Sequence, residues 1–125
     1  MTENEISNQI IGRAIEVHRE LGPGLLESSY QECLHFELER SGFLVEKQKP
    51  LPLIYQGIKL DCGYRVDLMV ERKVLIEIKS IEALNDIHLA QVLTYLRHSG
   101  CKLGLLMNFN VVFMKDGVKR VANRL

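Results

Sequence analysis

The sequence predicts an α/β (α+β) fold, a central mixed β-sheet flanked by helices. Three observations carry this. Two amphipathic stripes at helical spacing fill the N-terminal third. From Phe43 the texture changes to short apolar runs separated by glycine turns. One further helical stripe, Leu84 to Ser99, interrupts those runs, so strands lie on both sides of it in sequence.

The elements follow in order. Residues from about Glu3 to Leu21 read as the first helix, with Ile6, Ile10, Ala14, Val17 and Leu21 on one stripe and Gly22-Pro23-Gly24 as its stop. The second helix spans roughly Leu26 to Ser41, with Tyr30, Leu34 and Leu38 on its apolar face and Gly42 after it. Leu51 to Tyr55 and Ile58 to Leu60 read as a hairpin around Gln56-Gly57. Tyr64 to Val70 and Val74 to Ser80 are two more strands, joined by Glu71-Arg72-Lys73. The third helix presents Leu89, Val92, Leu93 and Leu96, and Gly100 ends it. Leu103 to Phe109 is a buried strand. Val111 to Lys115 and Val118 to Val121 flank Asp116-Gly117, a two-residue hairpin signal. The expected order is α-α-β-β-β-β-α-β-β-β.

Length and composition bound the function. A chain of 125 residues suits one domain, 1–125, with one core. Lys and Arg number 16, as do Asp and Glu, so no global basic footprint exists, and a nucleic-acid partner would meet a local patch. Cys33, Cys62 and Cys101 are odd in number and form no CxxC pair, which points to a reduced, cytoplasmic setting and away from a zinc ribbon. The N-terminus lacks a signal-peptide apolar region, and no apolar run reaches the about 20 residues of a membrane helix.

The stretch Val74-Leu75-Ile76-Glu77-Ile78-Lys79-Ser80 carries a carboxylate and an ammonium inside an apolar strand, two residues apart and so on one face. Charges in such a run are costly unless paired or metal-bound. The hairpin around Glu71-Arg72-Lys73 can be aligned from its own pattern. Pairing Val70 with Val74 brings Leu68 to Ile76 and Val66 to Ile78 on a uniformly apolar face. On the other face Met69 meets Leu75, Asp67 meets Glu77 and Arg65 meets Lys79. Asp67 and Glu77 then have Cβ atoms roughly 5 Å apart, a like-charge pair that is destabilising without a cation or a shared proton. Mg²⁺ suits a site of a few carboxylates, carbonyls and waters. The alternative is a solvated sheet face on which Glu77 pairs with Lys79 or Arg65.

Two helical features stand beside the acids. Glu27 shares the angular position of Tyr30, Leu34 and Leu38, so it is expected within the apolar stripe rather than on the wet side. It is either a first-turn Glu favoured by the helix dipole or a third acid facing the metal site. His88, Gln91 and Tyr95 form a polar strip beside the third helix's core face. His88 by itself reads as a surface or hydrogen-bonded histidine. The other histidines show no zinc-ligand spacing. Ser28, Ser29 and Ser80 lack a nucleophile-elbow context, and no glycine-rich phosphate loop is present. A glycosidase also uses two carboxylates, but the chain has no Trp for sugar stacking and an adjacent lysine would be unexplained.

With these residues assembled, the chain resembles the PD-(D/E)xK nuclease superfamily, and within it the small GxxExxY family. Gly24-Leu25-Leu26-Glu27-Ser28-Ser29-Tyr30 matches the name-giving motif; Asp67 and Glu77-Ile78-Lys79 match the D…ExK signature; Gln91-Val92-Leu93-Thr94-Tyr95 matches a Q-x-x-x-Y helix. Val66 stands where the superfamily pattern has proline. The resemblance covers about residues 4 to 121 and implies a restriction-endonuclease-like core. It implies that Asp67 and Glu77 ligate Mg²⁺ or Mn²⁺, with the main-chain carbonyl of Ile78 and, directly or through water, Glu27. It implies that Lys79 orients the attacking water and stabilises charge on the phosphate, and that Gln91 and Tyr95 contact the phosphate or hold Lys79 and the acids. Nucleic acid, DNA before RNA, is the implied substrate. A chain this small covers little of it, so a homodimer or a partner protein would complete the surface. The same fold could also serve as a non-catalytic binding or regulatory module.

Overall fold

The computed structural model describes residues 1–125. Helix α1 (Glu3–Leu21) begins at Thr2, whose side chain accepts a hydrogen bond from the Glu5 amide while Glu5 reaches back to the Thr2 amide. This reciprocal box satisfies two amides that the first turn would otherwise leave unpaired. Helix α2 (Glu27–Arg40) follows the Gly22–Leu26 loop. Five strands then precede the last helix: β1 (Val45–Pro50), β2 (Leu53–Tyr55), β3 (Ile58–Leu60), β4 (Arg65–Val70) and β5 (Val74–Lys79). Helix α3 (Asp86–Ser99), β6 (Leu103–Asn108), a 3₁₀ turn (Met114–Gly117) and β7 (Val118–Ala122) complete the chain.

The main sheet runs β1-β4-β5-β6-β7 and is mixed. The β5–β6 pair is parallel, spanned by α3, and every other pair is antiparallel. Parallel neighbours need a long crossover, and α3 supplies it. Alternation along β5 divides the core. Val74, Ile76 and Ile78 pack with Ile6, Ile10 and Ala14 of α1 and Tyr30, Leu34 and Leu38 of α2. Leu75 packs with Val92, Tyr95 and Leu96 of α3. The sheet is thus covered on both faces, which is why β5 reads as a nearly continuous apolar run.

Four sequence expectations change. Strand β1 was not foreseen, because Val45-Glu46-Lys47-Gln48-Lys49-Pro50 is mostly charged; it is an edge strand, where lysines and proline discourage further pairing. The β2–β3 hairpin forms where expected but makes its own two-stranded sheet. Val111 to Lys115 is not a strand. Residues Met114–Gly117 form the 3₁₀ turn, and β7 pairs with β6 instead. Gly117 explains its own identity here: a Cβ would lie 2.0 Å from the Asn108 carbonyl oxygen. Leu21, at the end of α1, is exposed rather than part of the core stripe.

Candidate active site

The site forms where the sheet comes apart. The β4–β5 hairpin has the expected register, Val70↔Val74, Met69↔Leu75 and Leu68↔Ile76, and its ladder stops there. On the other side β4 stays with β1: Lys47↔Leu68 and Lys49↔Val66 are partners, and the Leu51 amide still bonds the Tyr64 carbonyl at 3.0 Å. The β1–β4 ribbon therefore leaves β5 at Asp67. Val66 accordingly packs with Leu51, Leu75 and Val92 on the α3 side. This corrects the expectation that Val66 shares one apolar face with Leu68 and Val70, which pack on the α1–α2 side.

Side chains replace the missing ladder bonds. The Ile78 amide donates to Asp67 Oδ2 at 2.8 Å, and the Asp67 amide donates to Glu77 Oε1 at 3.2 Å. Each acid thus caps the other strand's backbone, and the two carboxyl groups meet in the notch. Glu77 is 5% exposed, so it is no solvated face residue. Burial, chiefly, and then the Asp67 charge push its carboxyl up to about 8. The six salt bridges of the chain lie elsewhere, so Glu77 is not ion-paired with Lys79 or Arg65. Lys79 is half-buried at the end of β5, close enough for its charge to oppose the upward shift of Glu77.

Helix α3 brings Tyr95 to the same place. Tyr95 is buried, its hydroxyl accepts from Gln91 Nε2 at 3.2 Å, and its ring meets Tyr64 edge-on at 6.1 Å. Burial, followed by the charge of Glu77, raises the Tyr95 hydroxyl above the ordinary tyrosine range. His88 turns away to cap the helix: its Nδ1 accepts from the Asn85 amide at 3.1 Å. This is the hydrogen-bonded histidine expected.

Glu27 departs from expectation in its surroundings. It is exposed, because it opens α2 beyond the covered part of the stripe. Its Oε2 accepts from the Ser80 amide at 3.2 Å, and Ser80 Oγ donates to the Leu25 carbonyl at 2.6 Å. These bonds tie the start of α2 to the end of β5. Glu27 and Ser80, with Leu25, Leu26 and Ser28, line an open hollow of about 370 Å³. A larger hollow of about 420 Å³ lies between α1 and α2, against Val17, Cys33 and Phe36, and holds none of the residues expected at the site.

Tyr30 gives the glycine-to-tyrosine motif its physical meaning. It is fully buried and stacks on Phe109 at 4.5 Å. Its hydroxyl donates to the Gly22 carbonyl at 2.6 Å and accepts from the Leu25 amide at 3.1 Å. The loop that delivers Glu27 is therefore pinned from beneath.

Three residues at the site escaped the sequence reading. Asn108, 2% exposed, accepts the Ile81 amide at 3.1 Å and donates to the Ile81 carbonyl at 3.0 Å, fixing the chain just after Lys79. Gln48 donates to Asp67 Oδ1 at 3.2 Å and to Gln31 Oε1 at 2.6 Å. A polar Gln31 directly after a core tyrosine was the one available signal; nothing in Lys47-Gln48-Lys49 marks its middle residue.

The donors gathered here, two carboxylates and nearby main-chain oxygens, suit a hard divalent cation that keeps several waters. No three His, Cys, Asp or Glu side chains stand close enough together to hold an ion among themselves. Only Asp67 and Glu77 converge; Glu27 remains at the Ser80 amide.

A family model described as the PD-(D/E)XK nuclease superfamily matches residues 4–121. The chain belongs to that superfamily, and its five-stranded mixed sheet flanked by three helices is consistent with the α+β fold of the group. PD-(D/E)XK nucleases generally use divalent metal ions. No curated protein and no solved structure matches the chain. No helix is long and apolar enough to cross a membrane.

Proposed function

We propose that the chain is a Mg²⁺- or Mn²⁺-dependent nuclease of the GxxExxY type, cleaving phosphodiester bonds in nucleic acid, with DNA the first candidate. The observation that carries this reading is the notch: Asp67 and Glu77 converge where β4 leaves β5, with Lys79 following on β5. Two carboxylates packed together in a buried strand gap destabilise each other unless a proton or a cation intervenes.

In this reading Asp67, Glu77 and the Ile78 carbonyl would hold the divalent cation, and Glu27, bonded to the Ser80 amide, would be an accessory ligand, directly or through water. The bound cation would supply an acidic water and neutralise phosphate charge. Lys79 would orient the attacking water and stabilise negative charge growing on the phosphate oxygens. Gln91 and Tyr95 act as a unit: the amide holds the phenol at the notch wall, from which they contact the phosphate and hold the acids' surroundings. Ser80 and Asn108 keep the end of β5 rigid, and a site built on a strand keeps its geometry better than one on a loop.

A non-catalytic binding module is the second reading, favoured by Glu27 bonding the Ser80 amide while only two acids gather at the notch. One experiment separates the two. Wild type, Asp67→Ala and Lys79→Ala are incubated with single-stranded and duplex DNA and RNA in Mn²⁺, and Mn²⁺ binding is titrated by calorimetry. The nuclease reading expects binding that Asp67→Ala abolishes, and cleavage that Lys79→Ala lowers by about 10²–10³-fold while leaving binding in place. Cleavage undiminished in Lys79→Ala would overturn the catalytic assignment. Metal binding without cleavage of any of the four substrates would favour the binding module.

A further inference from the structure

We infer that Gln48 is a positioning residue, which fixes the Asp67 carboxylate for the divalent cation through a side-chain amide that Gln31 aims. The inference rests on the metal-site reading above and adds two residues to it.

Four observations converge. Gln48 faces Asp67 in the β1–β4 register, between the pairs Lys47↔Leu68 and Lys49↔Val66. It is the single residue of β1 with a left-handed backbone, at φ 52°. Strained backbone of this kind persists only where its surroundings enforce it, and it gathers at functional sites. Both amide hydrogens are used: Nε2 donates to Asp67 Oδ1 at 3.2 Å and to Gln31 Oε1 at 2.6 Å. Gln31 is 9% exposed, on the same helix whose first residue is Glu27, so the acceptor that aims the amide is anchored in the core.

The physical consequence concerns Asp67. Its Oδ2 is held by the Ile78 amide, its Oδ1 by Gln48, so the carboxylate plane is set from two sides. Glutamine can do this beside a cation because it donates without adding charge; a lysine would compete with the cation and a carboxylate would repel Asp67. Hydrogen bonds of this sort to a ligating carboxylate fix its orientation, and removing them weakens metal binding. Pairing of β1 with β4 resumes at Lys49↔Val66, so the left-handed turn at Gln48 is a local departure within a continuing ladder, at the position whose side-chain amide reaches Asp67.

The test uses Gln48→Gly and Gln31→Met. Glycine takes φ 52° without penalty, so Gln48→Gly removes the amide and keeps the backbone. In chelator it is expected to melt at the wild-type temperature or above, yet to bind Mn²⁺ about 10–100-fold more weakly by calorimetry. Gln31→Met is expected to weaken Mn²⁺ binding in the same direction and to add nothing in the Gln48→Gly background, because it acts only through that amide. Mn²⁺ affinity equal to wild type in Gln48→Gly, or full additivity of the two changes, overturns the inference. If Gln48→Gly fails to fold, Gln31→Met alone decides: unchanged affinity overturns it. Wild type that binds no Mn²⁺ sinks the metal-site reading and this inference together. Asp67→Ala abolishing binding while Gln48→Gly keeps it sinks this inference alone.

Discussion

Replacing Glu77 by glutamine isolates the cost of the acid pair. In the folded chain its carboxyl is raised from 4.5 to about 8, by burial first and the Asp67 charge second. The unfolded chain loses this proton near 4.5, the folded chain near 8. Between those values the folded state binds more protons, so stability falls as pH rises and levels off above 8. Glu77 is almost wholly buried, so solvent screens the shift little, and it corresponds to on the order of 5 kcal/mol across the window. Glutamine keeps an oxygen for the Asp67 amide and offers the neighbouring carboxylate a donor, with no charge to bury. Glu77→Gln is therefore expected to be more stable than wild type at pH 8.5 in chelator and to lack the downward slope between pH 5 and 8. Urea denaturation across that range, read by circular dichroism, measures both. Mn²⁺ requires the ionised carboxylate, so in wild type its stabilisation should grow with pH toward 8. A Glu77→Gln protein less stable than wild type at pH 8.5, or with the same slope, would refute the account of an uncompensated acid pair.

Two further predictions follow from packing around the site. Tyr30→Phe keeps the stack on Phe109 but strips a donor from the Gly22 carbonyl and an acceptor from the Leu25 amide; thermal melts should show a loss of about 1–3 kcal/mol, and hydrogen exchange should rise at Leu25. Gly104→Ala would place a Cβ 2.7 Å from Val92 Cγ1 and 3.1 Å from Leu75 Cδ1. It should destabilise by about 1–3 kcal/mol, because α3 must lift off β6 to admit the methyl group. A neutral result in chemical denaturation would mean that the contact yields freely.

The helices were legible because each carries a stripe whose period matches its fold: Ile6, Ile10 and Ala14, or Tyr30, Leu34 and Leu38, have no other arrangement that buries them together. The β4–β5 register was legible from the turn as far as Leu68↔Ile76, since a one-residue slip would exchange the two faces of Met69, Leu75 and their neighbours; the expected pairings of Val66 with Ile78 and Arg65 with Lys79 do not form, because β4 has left β5 there. Strand β1 was not legible. An edge strand gains its place from backbone pairing with β4, and backbone pairing leaves no mark on the side chains. The Val111–Lys115 strand failed for a related reason. Asp116-Gly117 has the composition of a hairpin turn, but Gly117 is there to let the chain pass against the Asn108 carbonyl.

The site divides in the same way. Asp67, Glu77 and Lys79 stood out in the sequence because charge in a buried strand is costly and so conspicuous. That Glu77 and Lys79 share a face of β5, and that Asp67 lies across the same hairpin, follows from local alternation. What only the tertiary structure decided is the notch itself: the ladder ending at Leu68↔Ile76, the amide of Gln48 reaching Asp67, and Glu27 bonded to Ser80 rather than covered by the core. Those depend on how the β1–β4 ribbon and α2 meet β5 across long separations in the chain. Periodicity reports which face a residue occupies; it carries no information about where two packed elements part.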